Sequence, residues 1–284
     1  MNTRPKNDDE LRLFLSFFDD ASASTQELVQ AQLKNMLAAE PWLKGRLEYL
    51  ADATLRLRLQ NLFEDWRLNE LRDEICQLFS SGKNLNLEEG CWLLARLAYP
   101  DLQRIEISKP LDDMAEDIEE RIDFEDASPE GAMDILRRSL FVEMGFHGDD
   151  QKFYDPDNSF LNRVLERKVG IPISLSCIYL LVAWRLDLPA YGVGLPGHFI
   201  VAHRLQEGSV YLDPFDGGRI LSRRDCQTIV RRTGLTFTEE HLLPATHDQI
   251  LIRMMVNLVN IYTDREDRHM AGFLTRLLQE LQTA

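Results

Sequence analysis

Paired cysteines are missing from this chain. Its four cysteines, Cys76, Cys91, Cys177 and Cys226, are scattered through 284 residues without a CxxC pair. Such spacing builds neither a zinc ribbon nor a disulfide framework, so four reduced thiols are expected, mostly packed as small apolar groups. Long apolar runs are missing too. The longest, around Cys177 to Trp184, is too short to span a bilayer, and the opening MNTRPKNDDELRLF holds no apolar core of signal-peptide length. Positive charge is scarce: 32 Lys and Arg against 47 Asp and Glu leave a formal charge of −15. A polyanion of this kind is repelled by phosphate backbones and anionic lipid, so neither nucleic acid nor a membrane is an expected partner. No cofactor fingerprint occurs, and His147, Asp149 and Asp150 give only an unspecific metal-ligand pattern, so no cofactor and no metal are expected. What remains is a cytoplasmic globular protein.

The first half of the chain is patterned for helices. Leu55 to Phe79 reads as one long helix that breaks at Ser80-Ser81-Gly82. Asn86, with Glu89 three residues on, predicts the start of a helix through Cys91 that Pro100 stops. Leu111 to Phe124 predicts an acidic helix, and Ser128-Pro129-Glu130 opens another with Pro at its first position. Near Gly145 the character changes. Asn158 is expected to cap a helix that Gly170 ends, and Pro172 opens a second helix, Ile173 to Leu186, apolar nearly all round and so fit for the middle of a domain. The period then switches to that of strands, over Ala190 to Leu205, Ser209 to Leu212 and Arg219 to Leu221. Ser222 is expected to cap a helix carrying Cys226. Two more helices, Ile250 to Tyr262 and His269 to Leu281, close the chain.

Several short motifs occur in order: LEEGCWLLARLAYPDL from Leu87, GFHGDD from Gly145, NSFLN from Asn158, GIPISLS from Gly170, LPGHF from Leu195 and LDPFDGG from Leu212. In this order and spacing the block from Leu87 to Cys226 resembles the SirB-one family, a branch of the transglutaminase-like superfamily. A similar domain occurs in certain F-box proteins. The resemblance implies an α+β fold: a helical N-terminal region (1–144), a transglutaminase-like, papain-like core with a small antiparallel sheet (145–235), and a C-terminal helical pair (236–284) resembling a remnant of tetratricopeptide-like helices.

It also implies a site. Thiol chemistry of this type needs a Cys near a helix N-terminus, where unpaired N–H groups favour the thiolate, an imidazole to take the proton, and a carboxylate to orient that ring. Cys177, His198 and Asp213 follow one another in that order, the last two fifteen residues apart on neighbouring strands. In active relatives the Cys stands at the helix start. Aligning Pro189 with the loop proline that follows the helix, the nucleophile position falls near Pro172, with Ser174 close by. Cys177 lies five residues past Pro172, about 140° around the helix and roughly 7.5 Å along it. Two readings follow. In one, the chain is a cysteine-dependent hydrolase or acyl-transferase: Cys177 attacks, His198 is base and then acid, and Asp213 orients His198, with Ser174 the alternative nucleophile. In the other, which Pro172 favours, the nucleophile is lost and the cleft serves a protein partner in a binding or regulatory role. Cys177 is then a packed core residue, and Ser174 bonds backbone in the first helical turn.

Overall fold

The computed structural model describes residues 8–20, 23–82, 85–122, 128–206 and 208–283. Contacts divide the chain into two compact units, residues 1–70 and 71–284. The first holds α1 (Asp8–Asp20), α2 (Ala23–Ala39), α3 (Leu43–Leu50) and most of α4 (Ala53–Ser80). Leu11, Leu15 and Phe18 recur at helical spacing along α1, as do Leu43, Leu47 and Leu50 along α3. These stripes close over Leu33, Leu59 and Phe63 as one apolar core.

The second unit begins at Leu71, and the helices that precede the sheet belong to it. In α5 (Leu87–Ala95) the Asn86 side chain accepts the Glu89 N–H at 3.0 Å, as its sequence predicts. The next helix, α6 (Ile105–Glu119), starts six residues before the expected Leu111; its expected end at Phe124 lies outside the described residues. Pro110 is therefore inside the helix. Its cost is offset because Ile107, Leu111, Ala115 and Ile118 form a buried stripe that extends on both sides of it. Ser128 caps α7 (Pro129–Arg138), accepting the Gly131 N–H at 3.1 Å, and α7 runs on into a π-helical turn, Ser139–Glu143.

Two short strands, β1 (His147–Gly148) and β2 (Val169–Gly170), pair in parallel and bracket α8 (Leu161–Arg167). Here the sequence reading is corrected twice. Asn158 does not cap α8; Phe160 holds the N-cap position, and Asn158 ends a 3-10 turn with its side chain donating to Lys152 O at 2.8 Å. Nor does Gly170 end α8. Lys168 does, in the left-handed conformation at φ 60°, and Gly170 is already in β2. A short polar side chain serves a turn or a cap equally well, so residue type alone does not separate the two roles.

The central helix is α9 (Pro172–Arg185), buried at every position from Pro172 to Ala183. Four strands follow as an antiparallel meander: β3 (Ala190–Val193), β4 (Ile200–Leu205), β5 (Gly208–Asp213) and β6 (Arg219–Leu221), paired in that order. Alternation gives the sheet two buried faces. His203 of β4 reaches Tyr179 of α9, whereas Ile200 and Ala202 pack with Cys226 and Val230 of α10 (Arg223–Arg232). Ser222 caps α10 as expected, accepting the Asp225 N–H. The chain ends in α11 (His247–Asp264) and α12 (Arg268–Thr283). Helix α11 packs on α5, α9 and α12. Among the described residues no helix is long and apolar enough to cross a membrane.

Candidate functional site

The strand register builds the site. Val201 of β4 lies opposite Leu212 of β5, which sets His198, just before β4, beside Asp213, the last residue of β5. His198 Nε2 and Asp213 Oδ2 are 2.8 Å apart. Asp213 is 5% exposed, and its other oxygen accepts the backbone N–H groups of Phe215 (3.0 Å) and Asp216 (3.4 Å). The turn that follows closes when Gly218 N–H donates to Asp213 O at 2.8 Å, with Gly218 at φ +71°. A Cβ there would lie 2.3 Å from the Phe141 ring, so residue 218 must be glycine for conformation and for space.

His198 is held by its backbone and by ring contacts. Its backbone N–H donates to Leu195 O at 3.1 Å, and its carbonyl accepts Arg253 Nη2 at 2.7 Å. Phe215 meets the imidazole edge-on at 6.2 Å between centroids, and Phe153 meets Phe215 in the same manner. With Asp213 as acceptor, Nε2 carries the ring proton and Nδ1 presents its lone pair. The ring borders a cavity of about 420 Å³, lined also by Asp150, Pro196, Phe215, Arg219 and Arg232. Chemically, this arrangement can accept a proton or a hydrogen bond from a bound group.

Cys177 does not join the pair. It is fully buried in α9, and its sulfur lies 3.9 Å from Met254 Sδ of α11. Cys91 of α5 makes the same 3.9 Å contact with Met254, and its contact with Cys177, together with burial, pushes its thiol pKa up. Cys177 thus points into the seam of α5, α9 and α11, and it is not among the residues lining the His198 cavity. Ser174 is engaged as well. Its fully buried hydroxyl accepts the Ile171 N–H at 3.0 Å and donates to Asn158 O at 2.6 Å, a first-turn backbone role.

The neighbouring acids and histidines have local duties. Asp149 accepts N–H groups from Lys152 and Gln151 and from the Asn158 side chain, which hold its pKa below the usual carboxylate value. His147 is exposed and bonds Gly145 O. Among the described residues no group of three or more His, Cys, Asp or Glu side chains is placed to hold a metal ion. His203, 1% exposed, bonds the Tyr179 hydroxyl at 2.7 Å, and burial pushes its pKa down to about 4. Arg232, with Arg231, Arg223 and Arg224, reads in the sequence as the solvated face of a short helix, whereas Arg253 and Phe215 were missed. Phe215 lies in the LDPFDGG motif and was open to notice. Arg253 follows His198 by 55 residues, and only folding brings the two together.

A family model described as the transglutaminase-like superfamily matches residues 105–256. The chain belongs to the transglutaminase-like superfamily. The match spans α6 into α11 and so includes Cys177, His198, Asp213 and Arg253. A UPF0162 protein of Xylella fastidiosa is 36% identical over 194 residues, covering 66% of this chain and 69% of that protein. One of Pseudomonas aeruginosa is 30% identical over 179 residues, 62% and 64% of the two chains. The human F-box only protein 21 is 28% identical over 142 residues, 45% of this chain and 21% of its own. No solved structure matches. The transglutaminase-like domain is thus an α+β core whose central helix, α9, backs the antiparallel sheet that carries the His198–Asp213 pair.

Proposed function

We propose that this chain is a transglutaminase-like binding protein that keeps the His198–Asp213 cleft, lacks a thiol nucleophile there, and uses the cleft to hold a segment of a protein partner. The observation that carries this reading is the burial of Cys177 against Met254, outside the lining of the His198 cavity. Pro172 supports it further. A proline opens α9, where a thiol would gain most from the unpaired N–H groups of the helix, and a proline ring cannot attack a carbonyl. The motifs in the block from Leu87 to Cys226 favour the SirB-one branch of the superfamily, with α11 and α12 as its tetratricopeptide-like element. A reduced set of thiols and a strongly negative charge favour a cytoplasmic protein without nucleic-acid or membrane partners.

The deciding test is site-resolved alkylation of the folded chain across neutral to mildly alkaline pH, read by peptide mass spectrometry. Cys76, which is partly exposed, serves as the internal control. Cys177 is expected to stay unlabelled until the protein unfolds. Rapid labelling of Cys177 that slows in His198→Ala would overturn the reading and restore the cysteine-dependent hydrolase or acyl-transferase.

A further inference from the structure

We infer that the exposed arginine face of α10, continuous with the His198 cleft, docks an acidic protein segment. This rests on the binding reading above and adds the partner's chemistry and the surface that selects it.

Residues 219–232 contain Arg219, Arg223, Arg224, Arg231 and Arg232 but a single acid, Asp225, in a chain whose net charge is −15. Helix geometry then sorts these side chains. Cys226 and Val230 are buried against the sheet, and at ~100° per residue Arg224, Thr228, Arg231 and Arg232 fall in one sector of about 100° on the opposite side. All four are exposed. Arg219 and Arg223 have partners, Asp216 and Glu239. Arg224, Arg231 and Arg232 enter no ion pair among the described residues. The acid in their own helix, Asp225, accepts both the N–H and the hydroxyl of Ser222 and feels Arg224 only through a weaker charge interaction, not a direct ion pair. Three guanidinium groups thus share one face of the helix, Arg224 about 10 Å along the axis from Arg231, with forked donors suited to carboxylates.

The face does not stop at solvent. Ile229, Arg232 and Thr233 line the cavity onto which His198 and Phe215 open. A chain lying along α10 would reach the cleft within a few residues, where Phe215 and Ile229 offer apolar contact and His198 Nδ1 offers an acceptor. Two features select a peptide over nucleic acid. Asp150 and Asp216 stand in the cleft wall, and outside residues 219–232 the chain has 46 acidic against 27 basic residues (47 less 1, and 32 less 5). A polyphosphate carries charge at every repeat and would meet repulsion on both sides of this short face, whereas a peptide can keep its acidic residues on α10 and present uncharged ones to the cleft.

The test uses the full chain and a fluorescein-labelled glutamate-rich peptide with one central tyrosine, followed by anisotropy. Single-stranded DNA of matched charge is the competitor, and circular dichroism confirms that each variant is folded. Peptide binding that weakens with salt, falls at least tenfold in Arg224→Glu/Arg231→Glu, recovers in Arg224→Lys/Arg231→Lys and resists the DNA supports the inference. Absence of binding, or DNA that binds as well as the peptide, overturns it. His198→Ala separates the inference from the reading beneath it. Loss in His198→Ala with no loss in the arginine variants keeps the cleft and discards the α10 face. Loss in the arginine variants alone keeps the face and discards the cleft as the partner's seat.

Discussion

His198 and His203 lie five residues apart, one just before β4 and one within it, yet they meet opposite environments. His198 borders a cavity and is oriented by Asp213. His203 is enclosed, its ring bonded to the Tyr179 hydroxyl, and desolvation pushes its pKa from the ordinary 6.5 down to about 4. Unfolded chains take up the proton first as pH falls, so this group's stabilisation is intact above about pH 6.5 and is lost between there and about pH 4. The loss amounts to about 3 kcal/mol. Urea midpoints compared at about pH 7 and about pH 5 should drop more in the wild type than in His203→Gln, which stays neutral throughout. Equal drops would mean that His203 does not govern the acid limb.

At the scale of elements, the turn from β5 to β6 holds the site's carboxylate. Its geometry depends on Gly218, at φ +71° with Phe141 where a Cβ would stand. Gly218→Ala combines left-handed strain with a steric clash and should cost about 2–4 kcal/mol. Because Asp213 accepts from the backbone of this same turn, the substitution should also disturb the His198 ring, seen as a shifted imidazole signal by NMR. An alanine variant of wild-type stability would show that the turn has slack. Helix α11 acts at the same scale: it supplies Arg253 to the His198 carbonyl and Met254 to the Cys91–Cys177 seam, on consecutive residues. Removing α11 should therefore disturb the cleft as well as the core.

Across the whole molecule, net charge dominates the electrostatics. An excess of 15 negative charges repels itself in the compact state, while exposed ion pairs such as Lys34–Glu70 and Lys109–Asp113 contribute little each. Screening should relieve the repulsion more than it weakens those pairs. The thermal midpoint is expected to rise as sodium chloride goes from a few millimolar to about 0.15 M. A falling midpoint would mean that the ion pairs outweigh the net repulsion.

Much of the local structure was legible in the sequence because it depends on neighbours in the chain. Asn86, Ser128 and Ser222 each accept from a backbone N–H three residues ahead, and each cap follows from residue type and spacing alone. The strand period predicted one strand from Ala190 to Leu205 carrying His198; the structure breaks it into β3 and β4 at the Leu195–Phe199 turn, where Gly197 takes φ +74°, and His198 meets Asp213 at 2.8 Å from that turn. Where one residue type serves two local roles, as with Asn158 and Gly170, residue type and spacing pointed to the wrong one. What only the tertiary structure decided is which way each side chain faces. A helix apolar on nearly every side, as α9 is, carries no pattern to say whether Cys177 looks toward the cleft or toward Met254. That depends on where α5 and α11 pack, and long-range packing of this kind leaves no trace in local spacing.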